Sequence, residues 1–242
     1  MNALNWLKPS ANENKANENE STSSFLITGG AEIWARTSFA AAPIHIESGS
    51  CLAITGEDAF RKNFLCDWLL GFKDLEGASI EFRLGSEAFE APERRKQYSA
   101  ILGRSPLMYG ETIQEAILYR TQAVRKDALY YFMERLYGLS LKARTNPQNP
   151  LLDKNNKPIP TQILSAREHL EIAQINVMLQ KTALVVLDFS SPFMRKAFAE
   201  GFRPARELFE SGKTILVILP ETETIQWAED VMGLRFTGTL KV

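Results

Sequence analysis

Cysteine and histidine are almost missing from this chain: 242 residues hold Cys51, Cys66, His45 and His169 and no others of either kind. Two cysteines cannot build a disulfide framework and lack metal-ligand spacing, so they read as structural thiols of a reducing compartment. Two histidines far apart in sequence leave no histidine-rich metal centre and no two-histidine mechanism. Long apolar runs are missing too, since the longest aliphatic ones, 183–187 and 215–219, are strand-sized rather than membrane-sized. With neither a signal peptide nor a membrane-spanning pattern, the chain is expected to be cytoplasmic, meeting a membrane only peripherally through a partner. An excess of either charge is absent as well: 28 Lys+Arg against 29 Asp+Glu leave −1. That excludes a bulk electrostatic footprint for nucleic acid or anionic lipid.

What remains is average globular material. Hydrophobic residues make up 45% and charged ones 24%, enough for a sizeable core and incompatible with a collagenous or mainly disordered chain. One large α/β domain fits the length. Residues 8–24 contain no Val, Ile, Leu, Met or aromatic residue and cannot bury enough surface to offset chain entropy, so 1–24 is expected to be a disordered tail. Leu4, Trp6 and Leu7 form a small apolar group at its end, either a plug for a partner or an untethered terminus.

The globular texture starts at residue 25 with a β-rich stretch, FLITG, IWARTSF and IHIESG. Alternation in Ile44-His45-Ile46 turns His45 away from the two isoleucines and toward solvent. CLAIT (51–55) reads as a buried strand, and Phe60, Phe64, Leu65, Trp68 and Leu69 then recur at helical spacing. Residues 111–141 read as helical, their aromatics as helix packing, and the Asn, Pro and Lys of 145–161 as a long loop. Helices are expected at 164–180, 198–211 and 226–232, buried strands at 183–188 and 214–219, and a strand-like close at 234–242. Buried strands alternating with helices predict a mostly parallel, covered sheet.

A loop between a buried strand and a helix cradles phosphate when glycines allow close backbone approach and helix-end N–H groups and a lysine face the anion. The spacing is GxxxxGK[ST]. Here it reads Gly56-Glu57-Asp58-Ala59-Phe60-Arg61-Lys62-Asn63, so the first glycine and the lysine are present. Arg61 replaces the last glycine, and Asn63 replaces the hydroxyl that would hold Mg²⁺.

Further segments come in a meaningful order. IESGSCLAITGEDAFRKNFLCDWLLGF, LGRSPLMYGETIQEAI, LSAREHLEIAQINVML, ALVVLDFSSPFM, GKTILVIL and AEDVMGLRFTG resemble, in turn, the phosphate loop, the exporter-type Q-loop, the LSGGQ signature, the second nucleotide-binding strand, the switch strand and the end of an ABC transporter nucleotide-binding domain. The resemblance covers about residues 25–242. It implies an ABC-type P-loop NTPase-like α/β domain with a mixed sheet, flanking helices and a helical subdomain over about 110–181. Lys62 and Asp188 match the phosphate lysine and the metal-side aspartate. Trp34 lies near the place of the aromatic that stacks on adenine, with core packing as the other reading.

Elsewhere the family's roles meet departures: Arg104 for the metal-sensing glutamine, Phe189 for the water-polarising glutamate, Pro220 for the switch histidine, Arg195 for the D-loop aspartate. Leu164 and Ser165 persist in the signature, but Ala166, Arg167 and Glu168 replace its glycines and glutamine. Asp58 is placed to cap the helix after the loop, and Ser165 and Glu168 to form a capping box, so carboxylates of the chain supply negative charge at helix starts where the family meets phosphate. Lys62 is expected to pair with Asp58 or Asp188. Losing a positioned base or a charge stabiliser costs about 10²- to 10⁴-fold each. A competent dimer partner does not repair this, because one composite site would use this chain's loop and the other its signature. The expectation is a catalytically inactive ABC ATPase-like binding, regulatory or scaffold subunit without cofactor, partnered by a membrane permease or an intact ABC ATPase subunit. The alternative is a divergent subunit that still binds ATP and Mg²⁺ at a residual site of Gly56, Lys62, Asn63, Asp188 and Trp34.

Overall fold

The computed structural model describes residues 29–37, 43–104, 110–121, 124–221, 223–233 and 235–242. The tail 1–24, most of the FLITG segment, and Met108 and Tyr109 of the exporter-like segment lie outside them. In chain order the strands are β1 (Glu32–Arg36), β2 (Ile44–Ile46), β3 (Cys51–Thr55), β4 (Ser79–Leu84), β5 (Glu87–Phe89), β6 (Ser99–Leu102), β7 (Thr145–Asn146), β8 (Asn149–Asp153), β9 (Leu184–Asp188), β10 (Thr214–Ile218) and β11 (Gly238–Lys241). The helices are α1 (Ala59–Leu69), α2 (Pro92–Gln97), α3 (Ile113–Leu118), α4 (Lys126–Leu136), α5 (Leu139–Arg144), α6 (Ala166–Leu179), α7 (Pro192–Ala199), α8 (Arg206–Glu210) and α9 (Ile225–Met232).

The expected mixed sheet is divided in two. A five-stranded sheet in the order β11-β3-β10-β9-β6 is parallel throughout. Of the antiparallel strands, β2, β1, β4 and β5 form a separate sheet in that order, and β7 and β8 pair only with each other. Burial explains the split. Every residue of β9 (LVVLD) and β10 (TILVI) is buried, as parallel strands covered on both faces require. In β1, by contrast, Ile33 and Ala35 are buried while Trp34 is exposed, the pattern of a sheet with one wet face.

Alternate residues of the central strands feed different cores. Val185, Leu187, Ile215 and Val217 pack with Ile113, Phe132, Ile172 and Ile175. Leu184, Val186, Leu216 and Ile218 pack with Leu65, Leu69, Ile33 and Phe82. The two sheets meet at Thr214, whose hydroxyl donates to the Ala31 carbonyl at 2.6 Å and accepts the Gly49 N–H at 3.0 Å. Gly30 permits this junction, since a Cβ there would lie 2.2 Å from the Gly49 nitrogen.

On the other side of the parallel sheet, α3 and α4 pack on α6. Phe132 and Tyr137 are buried in that core, as the packing reading of the aromatics requires. Two expectations are corrected. Residues 145–161 are not simply a loop but contain the β7–β8 hairpin, followed by bridges to Pro158 and Pro160. The Asp153 carboxylate accepts the N–H groups of Asn155 and Lys157, both at 2.8 Å, so the polar residues that mimic a loop organise a turn. The helix expected at 198–211 is broken into α7 and α8, because Ser191 caps and Pro192 opens α7, and Gly201 and Pro204 interrupt the chain between the two. Among the described residues no helix is long and apolar enough to cross a membrane.

Candidate functional site

The connection between β3 and α1 is only residues 56–58, because α1 already begins at Ala59, and its groups are engaged with the chain itself. Gly56 adopts φ +144°, and a Cβ there would sit 2.1 Å from the Val242 carbonyl oxygen. Val242 in turn donates its N–H to the Thr55 carbonyl at 3.0 Å. Glycine is therefore required here by the neighbouring C-terminal segment, whether or not an anion binds. Asp58 caps α1, accepting the Arg61 N–H at 3.1 Å and approaching the Arg61 guanidinium at 3.3 Å. Such a cap contributes about 1 kcal/mol and places a carboxylate where a phosphate would approach.

Lys62 is 1% exposed. Its ammonium donates to the Leu219 carbonyl just beyond β10 at 2.9 Å. The expected pairing with Asp58 or Asp188 is thus replaced by a backbone acceptor, because α1 directs the side chain under the sheet's C-terminal edge.

Asp188 pairs instead with Arg104. Gly103 and Arg104 follow β6, which lies beside β9, so this arginine reaches the C-terminal end of the parallel sheet. Its Nε donates to Asp188 Oδ2 at 3.2 Å, one terminal nitrogen to Asn63 Oδ1 at 3.1 Å, and the other to Asp67 Oδ1. Asp188 is 1% exposed, and its second oxygen accepts the Ser190 N–H at 3.1 Å and hydroxyl at 2.6 Å. Burial opposes the charge on Arg104, but hydrogen bonds and the charges of Asp67 and Asp188 outweigh it and hold the guanidinium pKa above its ordinary value. Asp67 was not among the sequence candidates. Its position one turn after Asn63 on α1 is the signal that it shares that residue's face.

The start of α6 is closed in the same manner. Ser165 accepts the Glu168 N–H at 3.2 Å, and Glu168 accepts the Ser165 N–H at 2.8 Å, completing the predicted capping box. The other Glu168 oxygen takes the Ser140 hydroxyl at 2.8 Å and the Arg144 guanidinium. Burial would raise the pKa of this carboxylate, yet these donors hold it below the usual value. Arg167 donates its N–H to Glu200 at 2.9 Å and its guanidinium to Glu171 at 2.6 Å, covering a surface that glycines would leave open.

Phe189, directly after Asp188, is 3% exposed and meets the rings of Phe198 and Trp227 edge-on at 5.9 and 6.3 Å. Pro220 is buried and Arg195 exposed. Trp34 belongs elsewhere: it stands on the wet face of the antiparallel sheet, 44% exposed, stacked on His45 at 3.7 Å. Both rings hydrogen-bond Glu32, at 3.0 and 3.1 Å. The core-packing reading of Trp34 is therefore corrected, since the β1 alternation buries Ile33 and Ala35 instead, and the solvent-facing reading of His45 holds. The thiols are structural: Cys66 is buried in α1, and burial pushes Cys51 up to about 12 and Cys66 further.

The structure thus brings Asn63, Asp67, Arg104 and Asp188 together, with Gly56 and Lys62 on the adjoining loop and helix, and leaves Trp34 on a separate surface cluster. Oxygen donors such as Asn63, Asp67 and Asp188 suit Mg²⁺ by type. One oxygen of each is already bonded to a guanidinium, so the residues as arranged do not fit that ion.

No family model and no curated protein matches the sequence. The fold does have solved counterparts. A bacterial Atm1-family ABC exporter with ATP bound is similar with a TM-score of 0.56 and 14% identity, covering 79% of this chain and 34% of the exporter chain. The chain therefore spans about a third of the length of that exporter. At this identity the likeness is one of architecture alone, an α/β body of similar fold, and architecture does not define an activity.

Proposed function

We propose that this chain is a catalytically silent ABC-related subunit that acts by binding another protein. The observation that carries the reading is Phe189, locked among Phe198 and Trp227 at the position where the resemblance places a water-polarising carboxylate. A phenyl ring cannot accept the proton of an attacking water, and loss of a positioned base costs about 10²- to 10⁴-fold. Pro220 cannot donate a hydrogen bond at the switch position, and Lys62 already donates to Leu219. Such losses do not simply multiply, but all act on the same step.

A partner fits the edge of the parallel sheet. Beside β6 lies a groove of about 340 Å³, lined by Ile101, Phe72, Ala116 and Val177 together with Arg104. Phe72 is half exposed there. An edge strand beside an apolar groove is a ready surface for another chain. The likeness to an exporter points to a membrane permease of that kind, or an intact ABC ATPase subunit, as the occupant.

Calorimetric titration with Mg-ATP tests the silent site. No heat of binding and no phosphate release are expected. Micromolar binding abolished by Lys62→Ala supports the other reading, a divergent subunit that still takes nucleotide. Affinity purification from the native cell tests the partner, and recovery of free monomer alone counts against it.

A further inference from the structure

We infer that Arg104 is the resident cation of this site, closing a cage of three side-chain oxygens to divalent metal. The inference rests on the silent reading of the same site and extends it to how the site is kept neutral. Three oxygens converge on one guanidinium, from Asn63 and Asp67 on α1 and from Asp188 at the end of β9. Two of the three donors are carboxylates, and Asp188 is sealed from water. A buried carboxylate requires a compensating cation, since an uncompensated charge is strongly disfavoured there. The chain supplies that cation itself, from the loop after the neighbouring strand.

The geometry uses what distinguishes arginine from lysine. Nε and both terminal nitrogens each reach a different partner, a planar fork that a point-charge ammonium cannot reproduce. Lys73 adds a second positive group at the rim, 3.5 Å from the other oxygen of Asp67. Two carboxylates are thereby met by Arg104 inside and Lys73 outside, with Ser190 filling the remaining oxygen of Asp188. A divalent ion entering this cluster would have to displace the guanidinium from all three oxygens at once.

Removing the guanidinium reverses the argument. With glutamine at position 104 the carboxylates of Asp67 and Asp188 face each other across a space lined by amide oxygens, the hard-donor set that Mn²⁺ and Mg²⁺ accept. The experiment titrates Mn²⁺ into the full chain, without nucleotide, and follows it by electron paramagnetic resonance. The wild-type chain is expected to leave Mn²⁺ free at millimolar concentration. Arg104→Gln is expected to bind one ion at least about tenfold more tightly, and the gain is expected to vanish in Arg104→Gln combined with Asp188→Asn. In EDTA, Arg104→Gln is expected to melt below the wild type and to recover on adding Mn²⁺.

If Arg104→Gln is unfolded in EDTA, restoration of its circular dichroism by Mn²⁺ is the same readout. Equal Mn²⁺ affinity of wild type and variant, or no binding and no Mn²⁺-dependent recovery of the variant, overturns the inference. Turnover of Mg-ATP by the wild type would sink the silent reading instead, so the two failures are told apart.

Discussion

Phe189→Glu, the substitution that introduces a carboxylate beside Asp188, is expected to destabilise the protein by about 4 kcal/mol or more and to bring no ATP turnover. Truncating a buried phenylalanine costs about 3–5 kcal/mol through lost transfer energy and cavity. Glutamate adds the penalty of burying a carboxylate among the rings of Phe198 and Trp227. For a chain of this length each kcal/mol lowers the melting temperature by about 2–4 °C, so the expected drop is at least about 8 °C. Turnover stays absent because Arg104 still fills the charge cluster and Lys62 still donates to Leu219. Thermal unfolding followed by circular dichroism, with a phosphate-release assay beside it, checks both halves. A variant that melts with the wild type and releases phosphate would mean that position 189 opens onto a working centre.

Glu168→Ala carries the second large effect. This carboxylate joins the Ser165 N–H, the Ser140 hydroxyl and the Arg144 guanidinium, tying the start of α6 to α5. Its removal deletes half of a capping box and leaves Arg144 without its acceptor, although the Nε of that arginine is already buried and unpaired. Breaking a buried pair costs about 3–5 kcal/mol, and partial exposure of Arg144 reduces that to about 2–3 kcal/mol. Urea unfolding measures it.

The pH dependence has a definite sign. The folded state holds Glu168 below its ordinary value of 4.5, so between the two values the unfolded chain binds more protons and stability rises with pH. The contribution is complete above the unfolded value and is lost as pH falls through the folded one. Glu168→Gln is therefore expected to differ least from the wild type at the acid end of that window. A difference in unfolding free energy that grows as pH falls would contradict the assignment.

Local chemistry was legible in the sequence wherever a few adjacent residues decide the outcome. The Val, Leu and Ile runs of β9 and β10 read as covered strands because no polar residue interrupts them, and Ser165-x-x-Glu168 read as a helix start because both halves of the cap lie within one turn. The β7–β8 hairpin was not legible, because its strands are short and its Asn and Asp residues stabilise a turn with the composition of a loop. Trp34 was ambiguous until β1 acquired partners on both sides, which made the Ile33 and Ala35 side the inner one. The Arg104 cluster was hidden for a different reason. Its outer partners stand 41 and 84 residues away, and only the placement of β6 beside β9, with α1 against the sheet, brings them within reach. Arg104 stood out by its mismatch to a family position, whereas the meaning of the mismatch required Asp67, which no motif flagged.

The alternation of side chains along β9 and β10 bears on how the molecule comes apart. Each of these strands contributes to both apolar layers, so neither layer can loosen without stripping contacts from the backbone that supports the other. Melting is then a shared event centred on the two strands, and their amides belong to the last to surrender protons to bulk solvent.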